Sequence, residues 1–316
     1  MRIKMRWLQF AVLIQVIGAL LIVVQTCPVQ AGFQDVTVTQ EIDQNASAMD
    51  MVQVAKASAL VQAVHSEATG ILPASLNEAR SQALQETLKP RADKFVFSYS
   101  EQERRLDNEK VQLTMSVGVN TQALKDYLKS WGVYYTAQGL LPCSVSLQGA
   151  SGEDRHRVDR YMLVTGIKDS SQTPDCSLQV RQASSEPKAW ELRLSSPEKT
   201  LTRKGAELES VWHGLWSEYF SQPSVQKRLG QTFLARVSGW ATSSEVQNFH
   251  SGLVDWGREV ATAELQRVDI QPEGLSGTWL IRSMDRKAFE SRIRRETSHS
   301  GLEVSLASAD AGLQKQ

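Results

Sequence analysis

The sequence predicts an α+β protein in which two small helix-on-antiparallel-sheet modules flank a loop-rich middle unit stapled by a disulfide. Three observations predict it: an alternating strand over Lys110–Val119, a β-α-β-β-α order in the last third, and a cysteine pair at 143 and 176 between them. The chain has 316 residues, enough for about two domains at roughly 150 residues each. Its 35 Lys+Arg balance 35 Asp+Glu, so it lacks the basic surplus with which nucleic-acid-binding proteins neutralise phosphate. The 41% hydrophobic content and 8 Trp are those of packed domains, not of a disordered chain.

Residues 1–31 read as an export signal. Arg2, Lys4 and Arg6 precede an apolar run from Trp7 to Val24, and the stretch ends Val29-Gln30-Ala31, so the expected cut follows Ala31. The same segment, barely long enough to span a bilayer, could remain as an inner-membrane anchor, and Cys27 offers a weak lipobox. Export places the mature chain in the periplasm with 32 basic and 35 acidic residues over 285 positions. In that oxidising compartment Cys143 and Cys176 are expected to pair and close a loop of 33 residues, with two buried thiols as the alternative.

The N-terminal module is expected over 32–138. An Ala-rich helix runs from Asn45 to Leu88, broken at Gly70–Pro73, with Val52, Ala55, Ala59, Leu60, Ala63 and Val64 on one narrow face. Phe95–Phe97 suggests a strand. In the next strand Val111, Leu113, Met115, Val117 and Val119 alternate with polar or small residues, which means one buried and one wet face. A helix capped by Asn120 follows, with Leu124, Tyr127, Leu128 and Trp131 inward.

The middle unit, 139–203, holds the cysteines, the run Arg160–Ile167 and a strand at Trp190, Leu192 and Leu194, punctuated by Ser, Pro and Gly. The C-terminal module, 204–296, opens with a helix whose stripe of Leu208, Val211, Trp212, Leu215, Trp216 and Tyr219 is either core or a partner face. A strand at Thr232–Val237, a helix with a capping box at Ser244 and Gln247, strands around Leu265–Ile270 and Trp279–Ile281, and a helix from Asp285 complete it. Residues 297–316 read as a polar tail in which Leu302, Val304 and Leu306 could add an edge strand.

No motif marks an enzyme. The histidines at 65, 156, 213, 250 and 299 are scattered without metal-ligand spacing, and the nucleophile elbow, the dinucleotide fingerprint and the phosphate loop are all missing. No metal, cofactor or catalytic residue is therefore expected. The rival reading, a periplasmic hydrolase with a site between the modules, calls for a deep pocket with convergent titratable groups near His156 or His213. Candidate interaction residues are Trp240, at the end of a strand, and Tyr134-Tyr135 after the first-module helix; each could equally be packing.

The segment KFVFSYSEQERRLDNEKVQLTMSVGVNTQALKDYLKSWGV, behind an Ala-rich helix and an exported N-terminus, resembles the N-terminal domain of flagellar assembly protein T and related bacterial envelope proteins. The resemblance implies a small α/β domain in a periplasmic protein of the flagellar basal body. It brings no catalytic residues. Together these readings lead to an expected non-catalytic periplasmic protein that binds other envelope proteins, flagellar or outer-membrane assembly components among them, through exposed sheet edges or the open face of the last module.

Overall fold

A computed structural model describes residues 31–41, 48–107, 110–170, 172, 174–183 and 189–308. The expected signal peptide, apart from Ala31 at its end, and Cys27 lie outside the described residues, as do 309–316 of the tail. The fold is α+β, with three sheets.

The first unit begins with a strand that the sequence reading missed, β1 (Ala31–Glu41). Then come α1 (Ala48–Ile71), α2 (Glu78–Leu88), β2 (Val96–Leu106), β3 (Lys110–Asn120), α3 (Thr121–Ser130) and the single turn α4 (Val133–Thr136). The strands form an antiparallel sheet in the order β1-β3-β2. The alternation in β3 puts all five of its apolar residues on the covered face, fully buried. Across from them, α1 buries Ala55, Ala59, Ala63 and Ala68, whose small side chains let the helix lie close to the sheet. Asn120 caps α3 by accepting from the Ala123 amide.

The middle unit, stapled by its disulfide, holds more strands among the described residues than the one at Trp190–Leu194 that the sequence reading named. Strands β4 (Leu141–Gln148), β5 (Ile167–Asp169), β6 (Cys176–Gln182), β7 (Trp190–Ser195) and β8 (Thr200–Gly205) form one sheet in the order β5-β4-β6-β7-β8. The run Arg160–Ile167 is the end of a crossover helix, α5 (Gly152–Thr165), and the start of β5. The strands are short, so the turn residues at their ends outnumber the strand signal. Cys143 and Cys176 are register partners on the parallel pair β4 and β6, with Cα atoms 4.6 Å apart, and they form the disulfide.

The aromatic helix α6 (Leu208–Ser221) belongs to this side of the molecule rather than leading the C-terminal module. Its stripe is buried against β7, β8 and α3, in one continuous core with the first unit. A half-covered sheet needs a lid, and α6 is the broadest apolar face available. At Gly132, φ is +81°, and any side chain there would strike the Phe220 ring of this helix.

The C-terminal module follows: α7 (Pro223–Leu229), β9 (Gln231–Trp240), α8 (Ser243–Asp255), β10 (Thr262–Gln271), β11 (Gly274–Ser283), α9 (Arg286–His299) and β12 (Glu303–Ser308). It has its own core, centred on Phe233, Trp279, Ile281, Phe289 and Ile293. The capping box sits two residues earlier than expected, at Thr242 and Glu245. Part of the expected polar tail is β12, which pairs with β9 so that the sheet reads β10-β11-β9-β12.

The two outer modules share one topology. Each runs strand, helical segment, strand, strand, helix, and in each the third strand lies between the first and second: β1-β3-β2 in one, β9-β11-β10 in the other. The difference is at one edge. In the C-terminal module the first strand is covered by β12; among the described residues nothing pairs with the outer edge of β1.

Arg80 of α2 ties the first unit to the middle one. It is 4% exposed, and its guanidinium donates to Leu163 O (3.0 Å), Thr136 O (2.9 Å) and Thr136 Oγ1 (2.9 Å). Burial lowers its pKa to about 10. Those carbonyls end α5 and α4, where helix dipoles present negative ends to a cation. Gly166, with φ +75°, leaves the room: a Cβ there would lie 2.2 Å from Thr136 Oγ1 and 2.6 Å from Arg80 Nη2.

Arg80→Met should lower stability by about 2–4 kcal/mol, because it leaves buried carbonyls without a donor, and Arg80→Lys should not restore it. A drop in the urea midpoint at unchanged m-value reads this out. The Cys143→Ser/Cys176→Ser double variant should lose about 3–4 kcal/mol for the 33-residue loop, seen in the same titration and reproduced by reducing the native chain.

Candidate functional site

The aromatic residues expected at an interface are inside the molecule. Tyr134 is fully buried and its hydroxyl donates to Gly257 O at 2.8 Å; Tyr135 is 7% exposed and stacks on Phe220. Trp240 is 8% exposed and packs against Phe249 in the C-terminal core. These three are corrected from contact candidates to packing residues. Tyr134 and Tyr135 lie in the single turn α4, under Gly257 and Phe220 of other units, and Trp240 ends β9 inside its own module's core, which a linear reading sees only as aromatics in loops.

Both histidines tied to the hydrolase alternative lie at open pockets. His156 is exposed in a groove of about 690 Å³ between α2 and α5, lined also by Glu86, Glu153, Asp159 and Arg160. His213 lies in a pocket of about 700 Å³ with Arg91, Phe95, Tyr127, Trp131 and Glu209. Here Arg91 pairs with Glu209 and donates to the Tyr127 hydroxyl at 2.8 Å. Burial pushes Tyr127 up to about 12, and burial together with Arg91 lowers His213.

Ser130 Oγ lies 2.7 Å from Tyr127 O, to which it donates as serines near helix ends do. His213 Nε2 lies 2.7 Å from the same Ser130 oxygen. Among the described residues no group of three or more His, Cys, Asp or Glu could hold a metal ion, and no helix is long and apolar enough to cross a membrane.

Among the sheet edges of the described residues, that of β1 is the longest without a register shift. It pairs with β3 over eleven consecutive residues without a bulge, from Ala31 opposite Asn120 to Glu41 opposite Lys110, and carries only Asp35 and Glu41 as charges. The opposite edge, β2, is broken by register shifts next to Phe97 and Gln102, and holds Glu101, Glu103, Arg104 and Arg105. Edge β10 likewise has a register shift beside Gln266, with Glu264, Arg267 and Asp269 nearby. Bulges and charges are how sheets prevent unwanted pairing, so β2 and β10 are protected edges and β1 is not. Beside it Phe33 is 64% exposed and meets Phe97, 45% exposed, edge to face at 5.8 Å over Gly118. The alternation in Asp35-Val36-Thr37-Val38-Thr39 could have revealed this strand in the sequence.

No family model, curated protein or solved structure matches the chain.

The C-terminal module is held to this unit by a second set of cations on carbonyls. Lys125 Nζ of α3 donates to Val260 O (2.7 Å) and Val254 O (3.3 Å), Lys129 Nζ to Ala261 O (2.7 Å), and Arg258 Nε to Leu72 O (3.1 Å). Burial first, then Lys129, lowers the Lys125 pKa to about 7, against the pull of Asp126, Asp255 and Glu259. With its unfolded value near 10.5, the unfolded chain binds the extra proton between about pH 7 and 10.5, so this residue makes stability rise with pH through that window. Lys125→Met should flatten that rise, measured by urea unfolding between pH 7 and 9.5, below the range where the buried tyrosines ionise.

Proposed function

We propose that the chain is an exported, non-catalytic protein of the bacterial periplasm that binds a partner envelope protein by taking one of its extended segments along the edge of β1. One observation carries the reading: the same edge in the C-terminal module is filled by the chain's own β12, while the edge of β1 is long, unbulged and nearly uncharged. Strand addition of this kind draws affinity from main-chain hydrogen bonds and selectivity from alternate side chains. The exposed Phe33–Phe97 pair supplies an apolar contact beside the edge. The disulfide supports the export reading, because such bonds persist in oxidising compartments.

The resemblance of the first module to flagellar assembly protein T extends the proposal to a partner in the flagellar basal body, which a deletion strain tests by its swimming. The binding surface is tested with a photo-crosslinker at position 97 in intact cells. The expected result is one discrete crosslinked envelope protein, lost on Thr39→Lys, which places a charge on the strand, and weakened on Phe33→Ser. An unchanged crosslink in Thr39→Lys, or a purified chain that dimerises through β1 with no other partner, would overturn the reading.

A further inference from the structure

We propose that cleavage after Ala31 creates a charge that the fold is built to receive: the new α-ammonium of Gly32 pairs with the Glu67 carboxylate and fixes β1 as a flush edge. This rests on the export and edge readings above and names how that site is completed.

The geometry comes from Gly32 itself. A Cβ built on it would have as its three nearest atoms the Glu67 carboxyl group, with Oε2 at 2.6 Å, Cδ at 2.8 Å and Oε1 at 2.8 Å. The backbone nitrogen is on the same Cα, about 1.5 Å from it. Freed from Ala31, the terminal Gly32 can turn about its Cα–C bond, which carries the ammonium and its three donors into the space a Cβ would fill, beside the carboxylate. A side chain at the first mature position would occupy this space, and the residue there is glycine.

The carboxylate is held ready. Gln34 Nε2 of β1 donates to Glu67 Oε2 at 2.7 Å, and Thr121 Oγ1 of α3 donates to Glu67 Oε1 at 2.6 Å. Ser66 Oγ in turn donates to Gln34 Oε1 at 3.3 Å. Each partner is neutral, so among the described residues the half-buried carboxylate has hydrogen bonds but no ion pair. Its place is also poor for an anion: Glu67 stands near the C-terminal end of α1, whose last turn has no basic residue. A cation delivered there is favoured by both the carboxylate and the helix dipole.

The chemistry is an ordinary hydrolysis. Water adds across the Ala31–Gly32 peptide bond, the C–N bond breaks, the water oxygen stays on the Ala31 carbonyl carbon as a carboxylate, and the Gly32 nitrogen leaves as an amine that is protonated to the ammonium. The order of events follows from register. Ala31 and Gly32 lie opposite Asn120 and Val119 at the start of the β1–β3 ladder. A peptidase needs an extended, unpaired substrate, so the cut precedes closure of this end of the ladder.

The test uses the exported chain purified from the periplasm, its N-terminus read by sequencing, with and without carbamylation confined to the α-amine by cyanate near neutral pH and verified by mass. Glu67→Gln keeps the shape and an acceptor while removing the charge. The native chain should begin at Gly32. Carbamylation should lower its Tm by about 2 °C or more, Glu67→Gln should lower it by a similar amount, and carbamylating Glu67→Gln should add nothing, since each step removes the same pair. Losses that simply add, or no loss on carbamylation, would overturn the ion pair and leave the edge reading standing. An exported chain that starts at another residue would overturn the ion pair and the cleavage assignment together.

Discussion

The arrangement of the three units depends on positively charged side chains buried against backbone carbonyls. Arg80 holds the ends of α4 and α5; Lys125 and Lys129 hold the segment between α8 and β10; Arg258 returns the contact to Leu72. A buried cation is costly without partners, and a helix end or a loop full of unpaired carbonyls is costly for the opposite reason. Bringing the two together meets both needs at once. Because the acceptors are main-chain oxygens, the contacts fix the position and orientation of one unit's backbone against the other.

These joints were hidden in the sequence. Arg80 sits in Asn77-Glu78-Ala79-Arg80-Ser81 and Lys125 in Ala123-Leu124-Lys125-Asp126, stretches that look like solvated helix faces. Only the approach of another unit turns them into buried anchors, and such approach has no linear signature. The elements with strong periodicity were legible: β3, α3, the stripe of α6 and the whole β-α-β-β-α order of the last module. Of the middle sheet only β7 was legible, through Trp190, Leu192 and Leu194, since strands of three to eight residues offer few alternations to outweigh the turns between them. The candidate site divided the same way. Exposed edges were anticipated as a class, but the edge in question belongs to a strand that was overlooked, and the aromatics chosen from loops proved to be core.

The disulfide plays a local part within this plan. It joins neighbouring parallel strands at the point where the crossover through α5 and β5 returns to the sheet. Parallel pairing needs a crossover connection, so a covalent tie there limits the excursions of the 33-residue stretch that makes it. The outer modules, built from antiparallel neighbours, do without one.

The duplicated topology has a consequence for the identity of the ligand. Where the second copy is sealed, the sealing strand reads Glu303-Val304-Ser305-Leu306-Ala307-Ser308, with Val304 and Leu306 against the core and small or polar residues on the other side. Under the strand addition proposed above, β12 is the pattern for the partner segment: a six-residue ribbon, apolar at every second position, with Glu303, Ser305 and Ala307 between.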